Sequence, residues 1–397
     1  MKWILTLCFL LVAALLFAQS ALKGTVIDET DKPVPGASVF LNNTSVGTTA
    51  NNDGNFELFI PAGRFELIVS SIGFQTYNQA IPSSDRATSL VIRLKIKAPE
   101  LETIIIEPFE KNGWEKWGKW FTENFIGTSE YSQDCRIKNP EVLRFRNSKR
   151  THDLTVIATA PLIIENKALG YRVTYQMENF HYDFTTRYLL YAGYPFFQNM
   201  EGSDRKQRMW ERNRSDVYYG SMMHFMRLLY RNTFLKEGFE VRQLQKKPND
   251  EKQRIRMVYK NSVRDNGNGR IVSTINGDSS AYYNHIMSQD DFINIIGKSI
   301  LPGDSIAYAV DSTIAGMAFE DYLLIIYKNK NVPVEFMRMF PKGSNAMMSE
   351  ITLINNKPIE VLSNGSYFNP QDLLSTGYWA WWEKAATMLP FDYQPPK

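Results

Sequence analysis

The chain has 397 residues, of which 44% are hydrophobic and 13% aromatic, so it can bury substantial apolar cores in two or three domains. Its 45 basic and 42 acidic residues give a net charge of +3 at pH 7. This balance argues against a protein whose whole surface binds a strongly anionic partner, although it allows local basic patches.

The first twenty residues have the layout of a secretory signal peptide. Lys2 precedes an apolar run over residues 3–17, and small and polar residues follow. We predict cleavage after Ala18, with Ser20 as the alternative, and hence a signal peptide at 1–18. A membrane anchor is the competing interpretation, but the run is shorter than the ~20 residues that a spanning helix needs. No cysteine follows the run at a lipoprotein position, and we predict no transmembrane segment in the exported chain.

The chain has two cysteines, Cys8 and Cys135. Cys8 would leave with the signal peptide, so the exported chain would have no internal disulfide. Its fold would then depend on a hydrophobic core, even though export leads to an oxidising compartment. The Cys135 thiol is either an inert buried group or a nucleophile, and its role stays open.

Residues 22–94 alternate between short strands and turns. The segment NNDGN at 51–55 is a strong turn signal, because asparagine, aspartate and glycine tolerate positive φ. Strands of this length and spacing are typical of an all-β sandwich. The strands are predicted at 22–28, 36–41, 44–49, 56–60, 64–70 and 89–94.

Six short motifs occur through this stretch: GTVID at 24–28, PGASV at 35–39, GTT at 47–49, NDGNF at 52–56, IP at 60–61 and SSIGF at 70–74. In this order they resemble the carboxypeptidase regulatory-like domain of Bacteroidota proteins. The resemblance implies a transthyretin-like, seven-stranded sandwich over residues 19–97. It implies a structural or docking module and no peptidase activity. Relatives of this kind often carry the module ahead of outer-membrane receptors.

A proline-bounded linker is predicted at 98–112, and an aromatic helix follows at 112–125. Trp114 and Trp117 share the apolar face of this helix with Phe121 and Phe125. The face could dock on a membrane surface or stack on sugars. Alternatively, it packs onto the domain that follows.

Residues 113–262 predict an α+β region. Strict alternation over 170–178 predicts a strand with one buried and one solvated face, which is typical of an antiparallel sheet. Residues 204–214 predict a charged helix, 215–236 a second helix, and 254–260 a strand. Basic residues at 205, 206, 208, 212 and 214 flank Trp210. Because export disfavours nucleic acid, the alternatives are a solvated helix face and a site for an anionic envelope glycan or lipid headgroup.

Residues 263–397 predict a β-rich region with a short helix near 289–296. They also predict a hairpin whose strands are 351–353 and 359–361, and a closing helix at 372–388 that carries Trp379 and Trp382. The segments 161–171, 219–225 and 379–382 resemble an unassigned region of exported Bacteroidota proteins. That resemblance implies no activity.

The histidine pattern argues against zinc peptidase chemistry. None of His152, His181, His224 and His285 belongs to an H-E-x-x-H motif. No G-x-S-x-G nucleophile elbow is present, and the GKS at 297–299 lacks the leading glycine of a phosphate-binding loop. His181 and Asp183 lie two residues apart on a predicted strand, so they share a face and form the best general-base candidate. A structural pair is the alternative.

We therefore predict an N-terminal all-β sandwich followed by a larger α+β region with a mainly antiparallel sheet. The leading functional hypothesis is a non-enzymatic cell-envelope protein, in the periplasm or at the outer membrane. It would bind an envelope protein or glycan, without nucleic acid, cofactor or metal, and membrane association stays possible. The candidate binding residues are Trp114, Trp117, Trp210, Trp379 and Trp382. The alternative is an envelope hydrolase that uses His181 and Asp183.

Overall fold

The computed structural model describes residues 20–61, 63–81, 89–97, 107–265, 271–273, 277–341 and 343–396. The predicted signal peptide at 1–18 lies outside these residues, as does the 98–106 part of the predicted linker.

The seven strands between Ser20 and Leu94 form a sandwich of two sheets. One sheet has the strand order β4-β1-β7, in which β1 and β7 are parallel, and the other has the order β3-β2-β5-β6. Strand β4 shows why the chain folds this way, since its alternate residues are buried in the inter-sheet core. The strands are β1 Ser20–Asp28, β2 Ser38–Leu41, β3 Gly47–Thr49, β4 Asn55–Ile60, β5 Phe65–Ser70, β6 Tyr77–Ile81 and β7 Leu90–Leu94.

Two further large sheets follow. The first has the order β8-β11-β12-β10-β9, and β13 pairs along the other edge of β12. It comprises β8 Cys135–Ile137, β9 Leu143–Ser148, β10 Asp153–Ala158, β11 Leu162–Asn166, β12 Tyr171–Asp183 and β13 Tyr188–Asn199. The second has the order β17-β14-β20-β21-β24 and comprises β14 Phe239–Pro248, β17 Phe292–Ile296, β20 Tyr322–Asn331, β21 Ala346–Leu353 and β24 Leu373–Gly377.

Two small sheets complete the strands of the described chain. One pairs β15 Val263–Asp265 with β16 Ile271–Ser273. The other has the order β18-β19-β22-β23 and comprises β18 Ala307–Ala309, β19 Ile314–Met317, β22 Ile359–Leu362 and β23 Tyr367–Phe368. The pairs after the sandwich are antiparallel, so the predicted fold class is confirmed.

Helices flank these sheets. The α-helices of the described residues are α1 Gly113–Phe125, α2 Asp204–Tyr218, α3 Met222–Tyr230, α4 Asp250–Ser262, α5 Gly277–Met287, α6 Val334–Met339 and α7 Tyr378–Trp382. Buried apolar side chains from Phe121 to Leu389 form one cluster, and the sandwich has its own. The larger cluster contains side chains from both sides of residue 262, where the domain boundary stays a prediction.

The loop between β2 and β3 joins the sandwich to the rest of the protein. The Asn43 N–H donates to the Pro195 carbonyl oxygen (2.9 Å), and the Phe197 N–H donates to the Thr44 carbonyl oxygen (3.0 Å). The Phe391 N–H, in the C-terminal tail, donates to the Asn43 carbonyl oxygen (2.7 Å). The loop is therefore hydrogen-bonded on one side to β13 and on the other to the tail.

Side chains strengthen this junction. The Phe40 and Phe196 rings lie 5.2 Å apart, and Ser45 donates from its N–H (3.0 Å) and its hydroxyl to the Asp392 carboxylate. A Cβ at Gly47 would come within 2.5 Å of the Phe196 ring, so only glycine permits this close approach. The junction combines apolar contact with backbone pairing.

The predicted helix over 215–236 is wrong in its length. Helix α2 continues to Tyr218, Gly220 has a φ of 88°, and α3 begins at Met222. Ser221 caps α3, because its Oγ accepts the His224 N–H at 3.1 Å. A glycine followed by a capping serine breaks a run whose apolar spacing alone predicts one helix.

Four predictions in the last part of the chain are also wrong. Residues 289–296 contain strand β17 in place of a helix, and residues 254–260 lie in helix α4 in place of a strand. The predicted hairpin does not form, because β21 pairs with β20 and β24 whereas β22 pairs with β19 and β23. Asn355 and Asn356 have positive φ, which turns the chain from one sheet to the other. Residues 373–377 of the predicted closing helix form β24.

Candidate functional site

An open cleft of about 660 Å³ lies between α2 and β20, close to the C-terminal tail. We call it the α2 cleft, and its lining includes Arg208, Arg212, Asp216, Tyr219, Tyr327 and Lys330. The first three residues recur at a spacing of four along α2, so they share one face of that helix.

The opposite face of α2 fixes the helix to the turn between β11 and β12. The Trp210 Nε1–H donates to the Lys167 carbonyl oxygen (2.8 Å), and the Asn213 amide donates to that of Ala168 (2.8 Å). Arg214 donates to the Leu169 carbonyl oxygen (2.7 Å) while its guanidinium lies 3.9 Å from the Tyr171 ring centroid. These contacts orient the helix so that the face carrying Arg208 and Arg212 borders the cleft.

One acid–base pair in the cleft is internally satisfied. The Lys330 ammonium lies 2.7 Å from the Asp216 carboxylate, and the other carboxylate oxygen accepts the Tyr131 hydroxyl at 2.6 Å. Burial, followed by this hydrogen bond to Asp216, raises the pKa of Tyr131. Lys330 also lies 5.5 Å from the Trp382 ring centroid. This pair therefore stabilises the fold, and it leaves little unpaired charge for a ligand.

Arg208 and Arg212 differ from Lys330. Both side chains are exposed, and their guanidinium groups have no hydrogen-bond or ion-pair partner among the described residues. Glu211 also lines the cleft, so besides the paired Asp216 the cleft offers two unpaired guanidinium groups and one further carboxylate. An unpaired guanidinium matches carboxylate or phosphate groups, to which it can donate two parallel hydrogen bonds.

Aromatic rings form the floor of the cleft. Tyr219 is exposed, whereas Tyr327 is buried, and the ring of His224 lies 5.2 Å and 5.7 Å from their respective ring centroids. Burial, with a smaller contribution from Arg227, lowers the pKa of His224 to about 4. His224 is thus neutral at pH 7, and its Nδ1 accepts the Gly220 N–H (3.3 Å). It supports the floor and is not a source of positive charge.

A second, smaller groove of about 510 Å³ runs along α1. Trp114 lines it, at 36% exposure, together with Lys119, Glu123 and Arg136. Trp117 lies deeper, 5.9 Å from the Phe184 ring at the tip of the β12–β13 hairpin. Within the α1 aromatic face, Trp114 is therefore the tryptophan that borders an open groove.

The remaining candidate tryptophans lie inside the protein. Trp210, Trp379 and Trp382 are 3%, 2% and 1% exposed. The Trp379 Nε1–H donates to the Gly220 carbonyl oxygen (2.8 Å) and that of Trp382 to the Val217 carbonyl oxygen (3.4 Å). No exposed patch is built on these three residues, and their suggested binding role stays a prediction.

His181 and Asp183 lie near the end of β12, and their side chains have separate hydrogen-bond partners, although the charge of His181 contributes slightly to the lowered pKa of Asp183. The Asp183 carboxylate accepts the N–H groups of Thr185 (2.7 Å) and Thr186 (3.0 Å), which closes the β12–β13 turn. These backbone hydrogen bonds lower the pKa of Asp183. The His181 Nδ1 lies 3.4 Å from the Thr155 hydroxyl. The geometry shows that Asp183 stabilises the β12–β13 turn. The general-base role of His181 and Asp183 stays a prediction.

The Cys135 thiol is buried, and burial raises its pKa to about 12. It is therefore protonated at neutral pH, which disfavours nucleophilic chemistry. Among the described residues, no group of three or more histidine, cysteine, aspartate or glutamate side chains could hold a metal ion. Nor is any helix in this part of the chain both long and apolar enough to cross a membrane.

Arg208 and Arg212 belong to a basic run that is visible in the sequence, whereas the cleft that they line is not. Tyr327 and Lys330 come from β20, more than one hundred residues away in the chain. The available signal was the four-residue spacing of Arg208, Arg212 and Asp216, which places them on one helical face.

Comparison with known proteins identifies the N-terminal domain. A sequence model of the CarboxypepD_reg-like domain matches residues 22–106, which confirms the predicted resemblance. The same region is 31% identical over 89 residues to TonB-dependent receptor P39 of Formosa agariphila. It is 36% identical over 91 residues to TonB-dependent receptor SusC of Bacteroides thetaiotaomicron. These matches cover 22% and 23% of this chain, and the chain spans only 8% of the length of either receptor.

Similarity to solved structures is weak. A protein of unknown function from Bacteroides fragilis aligns over 90% of this chain and 94% of its own, with 10% identity and a TM-score of 0.16. The C-terminal domain of the Caf1A usher aligns over 19% of this chain and 97% of its own, with 14% identity and the same TM-score. Scores this low support no argument about fold or function.

Proposed function

We propose that this chain is an exported, non-enzymatic protein of the cell envelope, in the periplasm or at the outer membrane, that binds an acidic glycan in the α2 cleft. The similarity of its N-terminal domain to TonB-dependent receptors supports the envelope context. The layout of residues 1–20 supports export. The sandwich acts as a docked module, and the larger α+β region provides the binding site.

The observation that carries this proposal is the pair of exposed, unpaired guanidinium groups of Arg208 and Arg212 in a cleft bordered by Tyr219. Guanidinium groups bind carboxylates or sulfate-like groups in pairs of parallel hydrogen bonds. The exposed tyrosine ring offers an apolar face and a hydroxyl to a sugar ring. A polymer of acidic sugars presents both a carboxylate for the arginines and a sugar ring for the tyrosine in each repeating unit.

The Lys330–Asp216 ion pair supports the proposal in a different way. It is already satisfied within the protein, so it holds β20 against α2 and need not rearrange when a ligand binds. A preformed cleft loses less conformational entropy on binding than one that must assemble.

We expect oligogalacturonate to bind the purified protein in isothermal titration calorimetry, and neutral oligogalactose of equal length to bind much more weakly. Arg208→Gln with Arg212→Gln should raise the Kd at least about tenfold, because each lost charge-assisted hydrogen bond contributes roughly 1.5–3 kcal/mol. Binding of the wild-type protein should weaken as salt rises.

Lys149→Gln with Arg150→Gln is the matched control, because it removes the same charge from exposed positions in the β9–β10 turn, away from α2, that do not line the cleft. It should leave the Kd within about twofold, since a remote exposed charge contributes little to binding. Equal weakening in both double variants would indicate general electrostatic attraction. That outcome, or equal binding of the neutral sugar, would refute the proposed site.

A further inference from the structure

Strand β17 is an uncovered apolar strand at the edge of a sheet. Phe292, Ile293, Ile295 and Ile296 are 53%, 53%, 42% and 47% exposed, so neither face of the strand is covered. Among the described strands β17 pairs with β14 alone, which leaves its other edge open. Proteins usually shorten, charge or cover such an edge, because it is a template for pairing with another strand.

The hydrogen bonds to β14 show which backbone groups face the open edge. The Asn249 N–H donates to the Asp291 carbonyl oxygen (2.9 Å), and the Gly297 N–H donates to the Gln243 carbonyl oxygen (2.8 Å). In an antiparallel ladder alternate residues make these bonds, so Ile293 and Ile295 also direct their backbone groups toward β14. The N–H and C=O groups of residues 292, 294 and 296 therefore point away from β14.

We propose that β17 pairs antiparallel with β17 of a second copy of this chain, about a two-fold axis at Asn294. In this register Asn294 lies opposite the second copy's Asn294, and Phe292 lies opposite the second copy's Ile296. All three residues on each strand have backbone groups on the open edge, so every such group finds a partner. On the other face Ile293 lies opposite the second copy's Ile295. The surface is self-complementary, as a two-fold interface requires.

The charges that flank β17 fit the same register. Asp290 lies four residues before Asn294 and Lys298 four residues after it. Antiparallel pairing centred on Asn294 therefore places Asp290 of each copy opposite Lys298 of the other. Both residues are exposed. An acidic start and a basic end favour antiparallel pairing with a second copy, because parallel pairing would place like charges together.

Sedimentation equilibrium of the purified exported chain tests this proposal, which does not depend on the α2 cleft. We expect the wild-type chain to be a dimer. Ile295→Lys should raise the dimer Kd at least about tenfold by placing two charges in the contact. Asn294→Pro should do the same, because it removes an N–H on the open edge and none directed at β14. Ile72→Lys, at an exposed isoleucine of the sandwich, is the control and should leave the dimer intact.

Charge reversal distinguishes a second copy from any other occupant. Asp290→Lys or Lys298→Asp alone should weaken the dimer, whereas the two together should restore it, because the swapped charges again face each other. A wild-type monomer across the micromolar range would overturn the proposal. A dimer that tolerates both Ile295→Lys and Asn294→Pro would also overturn it, and failure of the double swap to restore affinity would refute this register. Circular dichroism of each variant verifies that it is folded.

Discussion

Glu383, just after α7, carries a carboxyl group that the fold largely shields from water. Its Oε1 accepts the Met222 N–H at 2.8 Å, at the start of α3. Burial raises the pKa of this carboxyl to about 7. The neighbouring Lys384 has its pKa lowered to about 8 by the same cause, and the Tyr191 hydroxyl donates to the Glu383 carbonyl oxygen (3.0 Å). The folded protein therefore binds the Glu383 proton more tightly than the unfolded chain does.

This raised pKa predicts a stability that falls with pH. Between the unfolded value of 4.5 and the folded value of about 7, the folded state keeps a proton that the unfolded chain releases, so rising pH favours unfolding over this range. Glu383→Gln keeps the hydrogen-bond acceptor without the charge. We expect it to match the wild type at pH 4.5 and to be more stable by roughly 1–3 kcal/mol at pH 7.5. The gain in stability should lie toward the lower end of this range, because Glu383→Gln also removes the attraction between Glu383 and Lys384.

Urea denaturation at the two pH values measures this difference. His224, whose lowered pKa removes stability as the pH falls from 6.5 toward 4, is present in both proteins and cancels in the comparison. An equal difference in unfolding free energy at both pH values would contradict the assignment to Glu383.

Single residues also show what sequence patterns can and cannot reveal. The alternation in β12 correctly predicts that Tyr171, Val173 and Tyr175 are buried. The pattern cannot tell that Trp114 borders a groove while Trp379 lies in the core, because both belong to short aromatic runs. That difference depends on which distant element covers each side chain.

At the scale of elements, the junction between the sandwich and β13 is the contact that organises the chain. The β2–β3 loop receives hydrogen bonds from β13 and from the C-terminal tail, and the Phe40 and Phe196 rings meet beside it. The motif GTT at 47–49, which follows this loop, lies within the stretch that matches the CarboxypepD_reg-like domain. The partners of the loop come from residues 195–197 and 391–392, so no local pattern could have predicted the junction.

Phe196→Ala should loosen this junction. Removing the ring loses its packing against Phe40 and Gly47, at a cost of about 1–3 kcal/mol, less than for a fully buried phenylalanine because Phe196 is partly exposed. We expect calorimetry to show the sandwich unfolding in a separate, earlier transition. Phe59→Ala removes an exposed ring from the same sandwich and should leave a single transition. Unchanged calorimetry in Phe196→Ala would contradict a role for this ring in the junction.

Element prediction failed where glycine, capping residues and tertiary pairing acted together. Gly220 and Ser221 divide a continuous apolar run into α2 and α3. Leu373 pairs with Leu353 in a sheet, which overrides the helix that the aromatic run after it predicts. In both places the local sequence is compatible with helix, and the partner strand or cap decides the outcome.

For the whole molecule, the sequence predicted an N-terminal sandwich and a larger antiparallel α+β region. Most of the sandwich was predictable because its turns use asparagine, aspartate and glycine at defined positions, although β6 Tyr77–Ile81 was not among the predicted strands. The α2 cleft was not predictable, because α2 and β20 are separated by more than one hundred residues of chain. The basic run on α2 was visible in the sequence. That Tyr219 and Tyr327 lie beside it was not.

Hydrogen–deuterium exchange with and without oligogalacturonate tests the central claim most directly, because it locates the bound sugar on the folded chain. We predict slower exchange in α2 Asp204–Tyr218 and β20 Tyr322–Asn331, with no change in α1 Gly113–Phe125. The Arg208→Gln and Arg212→Gln double variant should lose this protection. Protection along α1 in place of α2 and β20, or none at a saturating concentration, would contradict the account.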